Sequence, residues 1–274
     1  MELAKGLEDR RRKAFLSAAI ASNRAIALRC PESGATFVEI AGGYAFFSGV
    51  GDPANRAIEI ESPADVRDEQ LEELDQFFRE RNARPSVFIS DETSAKDLIR
   101  KLEARGYARG PTLGTWWRSL PASDFPPVPE DILIAQAGPE QLELWARTVA
   151  TGFHEQRAPM DEGGIEPWEV CHFSARASAE NCTAFIATRS GEFSGGGLVQ
   201  IEDGVALLRT ASVRFRQRRN GVQRALIAAR LKAASEAGCE LAFSMADRGD
   251  ASERNFRRFE FQFLQEGPVM SRGS

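Results

Sequence analysis

The residues with the clearest chemical content lie between Val213 and Arg224 and read V-R-F-R-Q-R-R-N-G-V-Q-R. A helix N-terminus leaves its first backbone N–H groups unpaired and carries partial positive charge, so it binds anions where the preceding turn lets them approach. Gly221 lies at such a turn, and Arg218, Arg219 and Arg224 add cations around it. The run predicts a phosphate site, although a solvated strand end or an RNA-binding surface would use the same arginines.

A strand must lead into this run and a helix must leave it. Hydrophobic patterning predicts a strand over residues 205–213 and a helix over 221–237, which Gly238 ends. The same reasoning predicts further strands at 132–136, 183–188, 196–202, 241–245 and 261–270, and helices at 139–153, 166–177 and 252–259. The three glycines at 195–197 precede a strand rather than a helix, which favours a turn or bulge over a nucleotide-binding loop.

Four prolines between Pro121 and Pro129 deny hydrogen bonds to both helix and sheet, so we place a linker at 121–131 between domains at 1–120 and 132–274. The first half is predicted to have helices at 6–29, 66–81 and 93–105, and strands at 35–47, 55–61, 86–90 and 107–120. Both halves are therefore α+β. The segments L-E-A-R-G-Y at 102–107 and F-R-R-F-E-F at 256–261 end the two halves in a similar way, which suggests an internal duplication.

The second half resembles the GCN5-related N-acetyltransferase (GNAT) family. The spacing R-x-x-G-x-Q at 218–223 is similar to the family's Q/R-x-x-G-x-G/A signature, and V-x-F at 213–215 falls where the family commonly has V-x-P. The segment at 224–239 looks like the family's following helix and glycine-ended turn, and 252–261 resembles its last helix and strand. Two residues depart from the pattern: Gln223 replaces a glycine or alanine, where it would crowd or hydrogen-bond the phosphates, and Glu260 replaces the glycine of the usual G-F.

The resemblance implies two tandem domains, each a mixed, mostly antiparallel twisted sheet flanked by helices. It also implies acetyl-coenzyme A as donor and a primary amine, on a small molecule or a peptide, as acceptor. The strand at 205–213 would splay from its neighbour and pair with the pantetheine arm, and backbone N–H groups at 220–224 would hold the pyrophosphate. The residues implied to contact the coenzyme are Val213, Arg214, Phe215, Arg218, Arg219, Asn220, Gly221, Val222, Gln223, Arg224 and Asn255, the last of which could equally lie at the surface or cap a helix.

Proton transfer is harder to assign, because acyl transfer of this kind depends on proximity and on polarisation of the carbonyl by a backbone N–H. Many members of the family use a tyrosine to protonate the leaving thiolate, and the matching position here is Phe256. Ser252 or water would do this work, or the thiolate leaves unassisted. Glu155 and His154 are candidates for the base, although a charged pair in a loop is often only solvated.

The corresponding turn of the first half, at residues 61–69, reads E-S-P-A-D-V-R-D-E. Its acidic residues and its proline stand where a phosphate site needs glycine and arginine, so this turn would repel a pyrophosphate. We therefore expect a degenerate copy that kept the fold, lost the coenzyme and shapes the acceptor site.

Composition limits the remaining alternatives. The chain has 274 residues, 42% hydrophobic and 27% charged, which suits a folded protein, and its net charge of −5 argues against a surface that tracks nucleic acid. Its four cysteines, Cys30, Cys171, Cys182 and Cys239, form no C-x-x-C pair, so we expect neither a metal site nor a disulfide framework, and a cytoplasmic location. No apolar run approaches the roughly 20 residues of a membrane span.

The resemblance implies an N-acetyltransferase, and the composition predicts a cytoplasmic protein with no nucleic-acid or membrane partner. A non-catalytic sensor of acyl-coenzyme A is the alternative from another class, and an RNA-binding module is a third. The sequence leaves the acceptor and the oligomeric state open, a homodimer included.

Overall fold

One continuous sheet of eleven strands forms the centre of the protein, in the order β1-β2-β3-β4-β11-β5-β10-β9-β8-β7-β6. The structure is a computed structural model that describes residues 2–60, 66–121, 125–155, 158–160 and 164–273. The strands are β1 (Thr36–Ile40), β2 (Gly43–Phe47), β3 (Arg56–Ile58), β4 (Ser86–Phe88), β5 (Tyr107–Ser119), β6 (Ile132–Gln136), β7 (Cys182–Arg189), β8 (Glu192–Glu202), β9 (Val205–Val213), β10 (Leu241–Asp247) and β11 (Gln262–Arg272). The α-helices are α1 (Glu2–Arg29), α2 (Asp68–Arg79), α3 (Lys96–Ala104), α4 (Leu142–His154), α5 (Pro167–Ala177), α6 (Val222–Glu236) and α7 (Ala251–Arg258).

Two of the strand pairs, β3–β4 and β9–β10, are parallel, and the others are antiparallel. This confirms the predicted mixed, mostly antiparallel sheet flanked by helices. The succession β3-α2-β4-α3-β5 has the same order of elements as β9-α6-β10-α7-β11, each with one parallel pair at its start. The topology thus supports the suggested duplication.

The two halves exchange strands where they meet. β11 ends the second half but lies between β4 and β5, and β5 ends the first half but lies between β11 and β10. The division at residues 121–131 stays a prediction about the sequence. In the sheet, the central strands β11 and β5 come from different halves and pair with each other.

One predicted strand of the first half was wrong. The segment 35–47 is not continuous but forms the hairpin β1–β2, in which Ile40 pairs with Gly43 across a two-residue turn. Ala41 and Gly42 in that turn have φ values of 50° and 70°. Positive φ at both central positions is the type I′ geometry that matches the twist of two paired strands.

The helices cover opposite faces of the sheet. Along β9, Val205 and Leu207 pack with α1, whereas Ala206 and Leu208 pack with α6, because alternate side chains of a strand point to opposite faces. Leu198 of β8 packs with α4 and α5. Its partner on β9 is Arg209, which lies two residues after Leu207 and therefore on the same face of the sheet. Helices α1, α4 and α5 therefore share one face, and α6 lies on the other.

A disulfide joins Cys30, directly after α1, to Cys171 in α5. The expectation of no disulfide is wrong for this pair, because its members are 141 positions apart and their proximity arises only from the packing of α1 on α5. Cysteine usage therefore no longer argues for a reducing compartment, and the cytoplasmic location stays a prediction. The same two cysteines and Glu32 form a cluster of metal-ligand types, but the sulfur atoms are bonded to each other.

Among the described residues, no helix has the length and apolar content needed to cross a membrane.

Candidate functional site

The strands β9 and β10 diverge partway along their length. They pair in parallel only from Val205 with Leu241 to Leu208 with Ser244. Beyond that point β9 continues to Val213 against β8, while β10 continues against β5, with Met245 opposite Thr115. The structure thus shows the expected splaying of β9, and leaves one backbone edge of residues 209–213 without a strand partner among the described residues.

A bulge in β9 lies at this divergence. Gly196 pairs with Ser212 and Leu198 with Arg209, so Thr210 and the next residue together oppose one glycine of β8. Thr210 has a φ of 45°, a left-handed conformation that is uncommon for a threonine. A Cβ atom on Gly196 would come within 2.6 Å of the Trp145 ring, which explains this glycine. The three glycines lie within β8 beside the register shift, which agrees with a bulge rather than a nucleotide-binding loop.

The helix α6 begins directly after Gly221, whose φ of 94° favours glycine. The N–H groups of Val222, Gln223 and Arg224 are at the first positions of the helix, where no carbonyl of the same helix can accept from them. A Cβ atom on Gly221 would lie 3.0 Å from the Cγ and Cδ atoms of Pro129. Its backbone conformation and this proline both favour a glycine here, and the approach of a phosphate stays a prediction.

Two arginines of the run hold the loop in place. Arg218 donates from Nε to the carbonyl of Val213 (3.1 Å) and from Nη2 to the carbonyl of Gly152 (2.9 Å). Arg214 pairs with Glu155, with Nε and Oε2 3.1 Å apart. Both contacts tie the loop before α6 to the C-terminal end of α4.

The run has three other arginines, before and within the first turn of α6. Arg216 and Arg219 are exposed and Arg224 is half-buried. Within the described ranges, none of the three has an ion pair. Their positions before and within the first turn of α6 support the predicted anion site, whose contacts to a coenzyme stay predictions.

Glu155 is only 2% exposed and connects three groups. Its carboxylate accepts hydrogen bonds from the backbone N–H of Phe215 (2.6 Å) and of Met160 (3.1 Å), besides its contact with Arg214. Burial raises the pKa of this carboxyl, but these hydrogen bonds and the guanidinium outweigh burial and hold the pKa below its usual value. A lowered pKa makes a weaker proton acceptor, so the contacts support a positioning role, and the predicted role as a base stays untested.

His154 contacts α5. Its Nε2 atom lies 2.7 Å from Oε1 of Glu169 in the first turn of that helix, and 41% of its side chain is exposed. Its role as a base also stays a prediction.

The predicted residues of α7 are at its start and on its buried side. Ser252 lies 3.4 Å from a carboxylate oxygen of Asp250, the N-cap residue, and Asn255 is half-buried. Phe256 is buried, with its ring centroid 6.3 Å from that of Trp116. The position that would carry a tyrosine hydroxyl is therefore part of the hydrophobic core.

Glu260, which stands where the resembling family has glycine, has a φ of 57°. This left-handed conformation explains the glycine preference at this position. The glutamate adopts the same conformation at some cost and lies 3.6 Å from Arg118.

A cavity of about 210 Å³ lies on the α1 face of the sheet, at the divergence of β9 and β10. Arg209 and Met245, the first residues beyond the last β9–β10 pair, are part of its wall. The remaining wall comes from α1, from strands and loops of the first half and from Arg176 of α5. In the sequence, this cavity was indicated by Arg209, a lone charge in an otherwise uncharged strand. The residues that surround Arg209 are known only from the fold.

No family model matches the chain, and neither does any curated protein sequence. Solved structures do resemble it. A GCN5-related N-acetyltransferase from Kribbella flavida is 19% identical, with 94% of this chain and 95% of that one aligned and a TM-score of 0.63. A GCN5-related N-acetyltransferase from Sphaerobacter thermophilus is 18% identical (74% and 66% aligned, TM-score 0.58), and a tandem GNAT protein from the clavulanic acid biosynthesis pathway is 14% identical (84% and 77% aligned, TM-score 0.56).

The chain therefore has the fold of the GCN5-related N-acetyltransferases. The similarity to a tandem GNAT protein extends over both halves, as the resemblance of the sequence implied.

Proposed function

We propose that this protein is an acyl-coenzyme A-dependent N-acyltransferase that uses acetyl-coenzyme A to acetylate a primary amine on a small molecule or a peptide. The observation that carries the proposal is the divergence of β9 and β10, followed by a helix whose first N–H groups lack intrahelical acceptors. An unpaired strand edge suits an extended amide-containing chain, and a helix N-terminus suits a pyrophosphate.

Each part of this arrangement has a role in the proposed reaction. The coenzyme supplies the activated acyl group as a thioester. The backbone edge at residues 209–213 orients the arm that carries it, and the N–H groups at 222–224, with Arg219 and Arg224, hold the phosphates. An N–H of the bulge at Thr210 polarises the thioester carbonyl, so that the neutral amine attacks its carbon, the C–S bond breaks and the sulfur leaves as thiolate. The attacking nitrogen releases a proton to a base, for which His154 and Glu155 are the candidates, and the thiolate takes a proton from Ser252 or from water.

An acyl-coenzyme A sensor without transferase activity is the second candidate. It is favoured by Phe256, which places a buried ring where the resembling family commonly has a hydroxyl. Release of free thiol in the presence of a panel of amines separates the two candidates, since turnover excludes a sensor. RNA binding receives less support, because Arg214 and Arg218 make contacts within the protein.

Calorimetry with acetyl-coenzyme A tests the coenzyme site. We expect Gly221→Glu to weaken binding at least about tenfold, that is by about 1.4 kcal/mol or more, because it adds a negative charge beside the phosphates and a side chain against Pro129. Gly238→Glu is the matched control: Gly238 also has positive φ (76°), lies beyond the other end of α6, and has open space where a Cβ atom would lie.

Equal loss of binding in both variants would trace the effect to backbone strain. If the wild-type protein responds to no acyl-coenzyme A, the proposal is wrong.

A further inference from the structure

The cavity described above has three arginines in its wall: Arg56 from β3, Arg176 from α5 and Arg209 from β9. Burial lowers the pKa of Arg56 and of Arg209, and the nearby charge of Arg176 lowers both further. Three like charges in one small cavity are costly unless each has a counter-charge.

The carboxylates around the cavity do not supply three counter-charges. Asp52 pairs with Arg176 and also lies 2.7 Å from Nδ1 of His172. Glu59 lines the cavity, but both of its oxygens accept from Arg11 of α1, each at 2.8 Å. These two carboxylates are therefore already paired with cations of their own.

Arg56 and Arg209 contact neutral oxygens instead. Arg56 donates to the carbonyl of Pro53, and Nη1 of Arg209 donates to Oε1 of Gln200 at 2.7 Å. Neither has an ion pair within the part of the chain that the structure describes. A guanidinium has five N–H donors, so both retain donors for a ligand. Burial is the main cause that lowers the pKa of each arginine. The charge of Asp52 opposes this effect at Arg56 and that of Glu202 opposes it at Arg209, but among the described residues neither carboxylate forms an ion pair with that arginine.

From these contacts we propose that Arg56 and Arg209 bind a carboxylate of the acceptor, so that the acceptor is a small amine that also bears a carboxylate, as an amino acid does. The inference rests on the proposed function, because it takes the cavity at the divergence of β9 and β10 as the acceptor side of the thioester. Planar guanidiniums form paired hydrogen bonds to a carboxylate, and such a ligand supplies the missing negative charge. The cavity volume of about 210 Å³ favours a small acceptor over a folded peptide, since pockets for drug-sized ligands span about 300–1,000 Å³.

The test begins without coenzyme, on the whole 274-residue chain. Calorimetry and thermal shift are measured with the twenty L-amino acids, β-alanine and γ-aminobutyrate, and each compound that binds is compared with its carboxamide and with its decarboxylated amine. We expect the carboxylate form to bind at least about tenfold more tightly than either analogue, and the same order in kcat/KM for thiol release once acetyl-coenzyme A is added.

Arg209→Met removes one of the two guanidiniums and keeps a long apolar side chain. We expect at least a tenfold loss of affinity for the carboxylate ligand together with an unchanged or raised Tm, because a half-buried charge without an ion pair among the described residues is removed. A purely structural role would lower the Tm instead. Arg209→Lys keeps a charge and serves as the second variant if Arg209→Met does not fold. Arg147→Met is the matched control, since this arginine pairs with Glu143 at the exposed side of α4.

Two results would overturn the inference: no carboxylate-dependent ligand in the panel, or equal kcat/KM for carboxylate and carboxamide acceptors in the wild-type protein. Acetyl-coenzyme A binding is measured separately. If the protein still binds the coenzyme while either of these results is found, the proposed function is unaffected. Loss of coenzyme binding alone would remove the proposed function and leave the carboxylate site as a separate finding.

Discussion

At the residue scale, Glu155 connects the C-terminal end of α4 to the loop before α6. It accepts from the N–H of Phe215, which lies two residues beyond the end of β9, and it pairs with Arg214. Arg218 reinforces the same connection through the carbonyls of Gly152 and Val213. The loop that would hold the phosphates therefore depends on a buried carboxylate that does not itself have to contact substrate.

We expect Glu155→Gln to lower the free energy of unfolding by about 1.5–3 kcal/mol, because an amide nitrogen would face the N–H of Phe215 or of Met160. The pKa of Glu155 is lowered in the folded state, so its stabilising effect is present above the ordinary pKa of a glutamate and is lost as the pH falls through the lowered value. The difference in Tm between the two proteins should thus be largest near neutral pH and shrink in acid.

Kinetics separate positioning from catalysis at this residue. If Glu155 positions the loop, Glu155→Gln weakens acetyl-coenzyme A binding and leaves the shape of the pH–rate profile unchanged. If it is the base, coenzyme affinity is kept and kcat falls by about 10²–10⁴. The second pattern would contradict the positioning role.

At the scale of elements, α1 forms one wall of the cavity and is fixed at several points. Arg11 is fully buried between Glu8 and Glu59, and Asn23 donates to the carbonyl of Phe47 at 2.8 Å. The disulfide holds the residue that follows the helix to α5. The position of α1 over the cavity is therefore set by polar and covalent contacts as well as by its apolar side.

Replacing both Cys30 and Cys171 by serine should lower the free energy of unfolding by about 2–5 kcal/mol, because the crosslink closes a loop of about 141 residues in the unfolded chain. Chemical denaturation with and without a reductant measures the effect. The double variant itself is the control, since a reductant should not change its stability further. Equal stability of the wild-type protein in oxidising and reducing buffer would contradict a stabilising role for this disulfide.

At the scale of the whole molecule, the exchange of β5 and β11 makes each half depend on the other. β11 has nine registered partners along β5 and also pairs with β4. A separated first half would expose both edges of β5, and a separated second half would carry β11 without the strands that flank it. Long exposed strand edges promote association, so neither half should remain a stable monomer.

A protease site inserted at residues 122–124 tests this dependence. After cleavage the two pieces should stay associated in size-exclusion chromatography and separate only in denaturant, and each piece expressed alone should be insoluble or lack cooperative unfolding. A similar site after Ser274, outside both halves, is the control for the protease treatment. Two cleaved pieces that elute separately and unfold cooperatively would contradict the exchange.

The amino-acid sequence by itself determined the local features of this protein. The order of strands and helices in the second half, the helix that begins after Gly221, and the bulge near the β8 glycines follow from hydrophobic periodicity and from backbone preferences that act within a few residues. The hairpin at Ala41 and Gly42 was missed, because two short strands with a two-residue turn read as one apolar run.

Only the tertiary structure decided which arginines hold the loop, which face the cavity, which cysteines pair and where β11 lies. Arg218 reaches Gly152 across 66 positions, and Cys30 reaches Cys171 across 141. Such contacts depend on the order of strands in the sheet and on the packing of helices on its faces, and no pattern of neighbouring residues encodes them. The charge of Arg209 is visible in the sequence, but the cavity that makes it a candidate carboxylate ligand exists only after α1, α5 and the first half of the sheet have assembled around it.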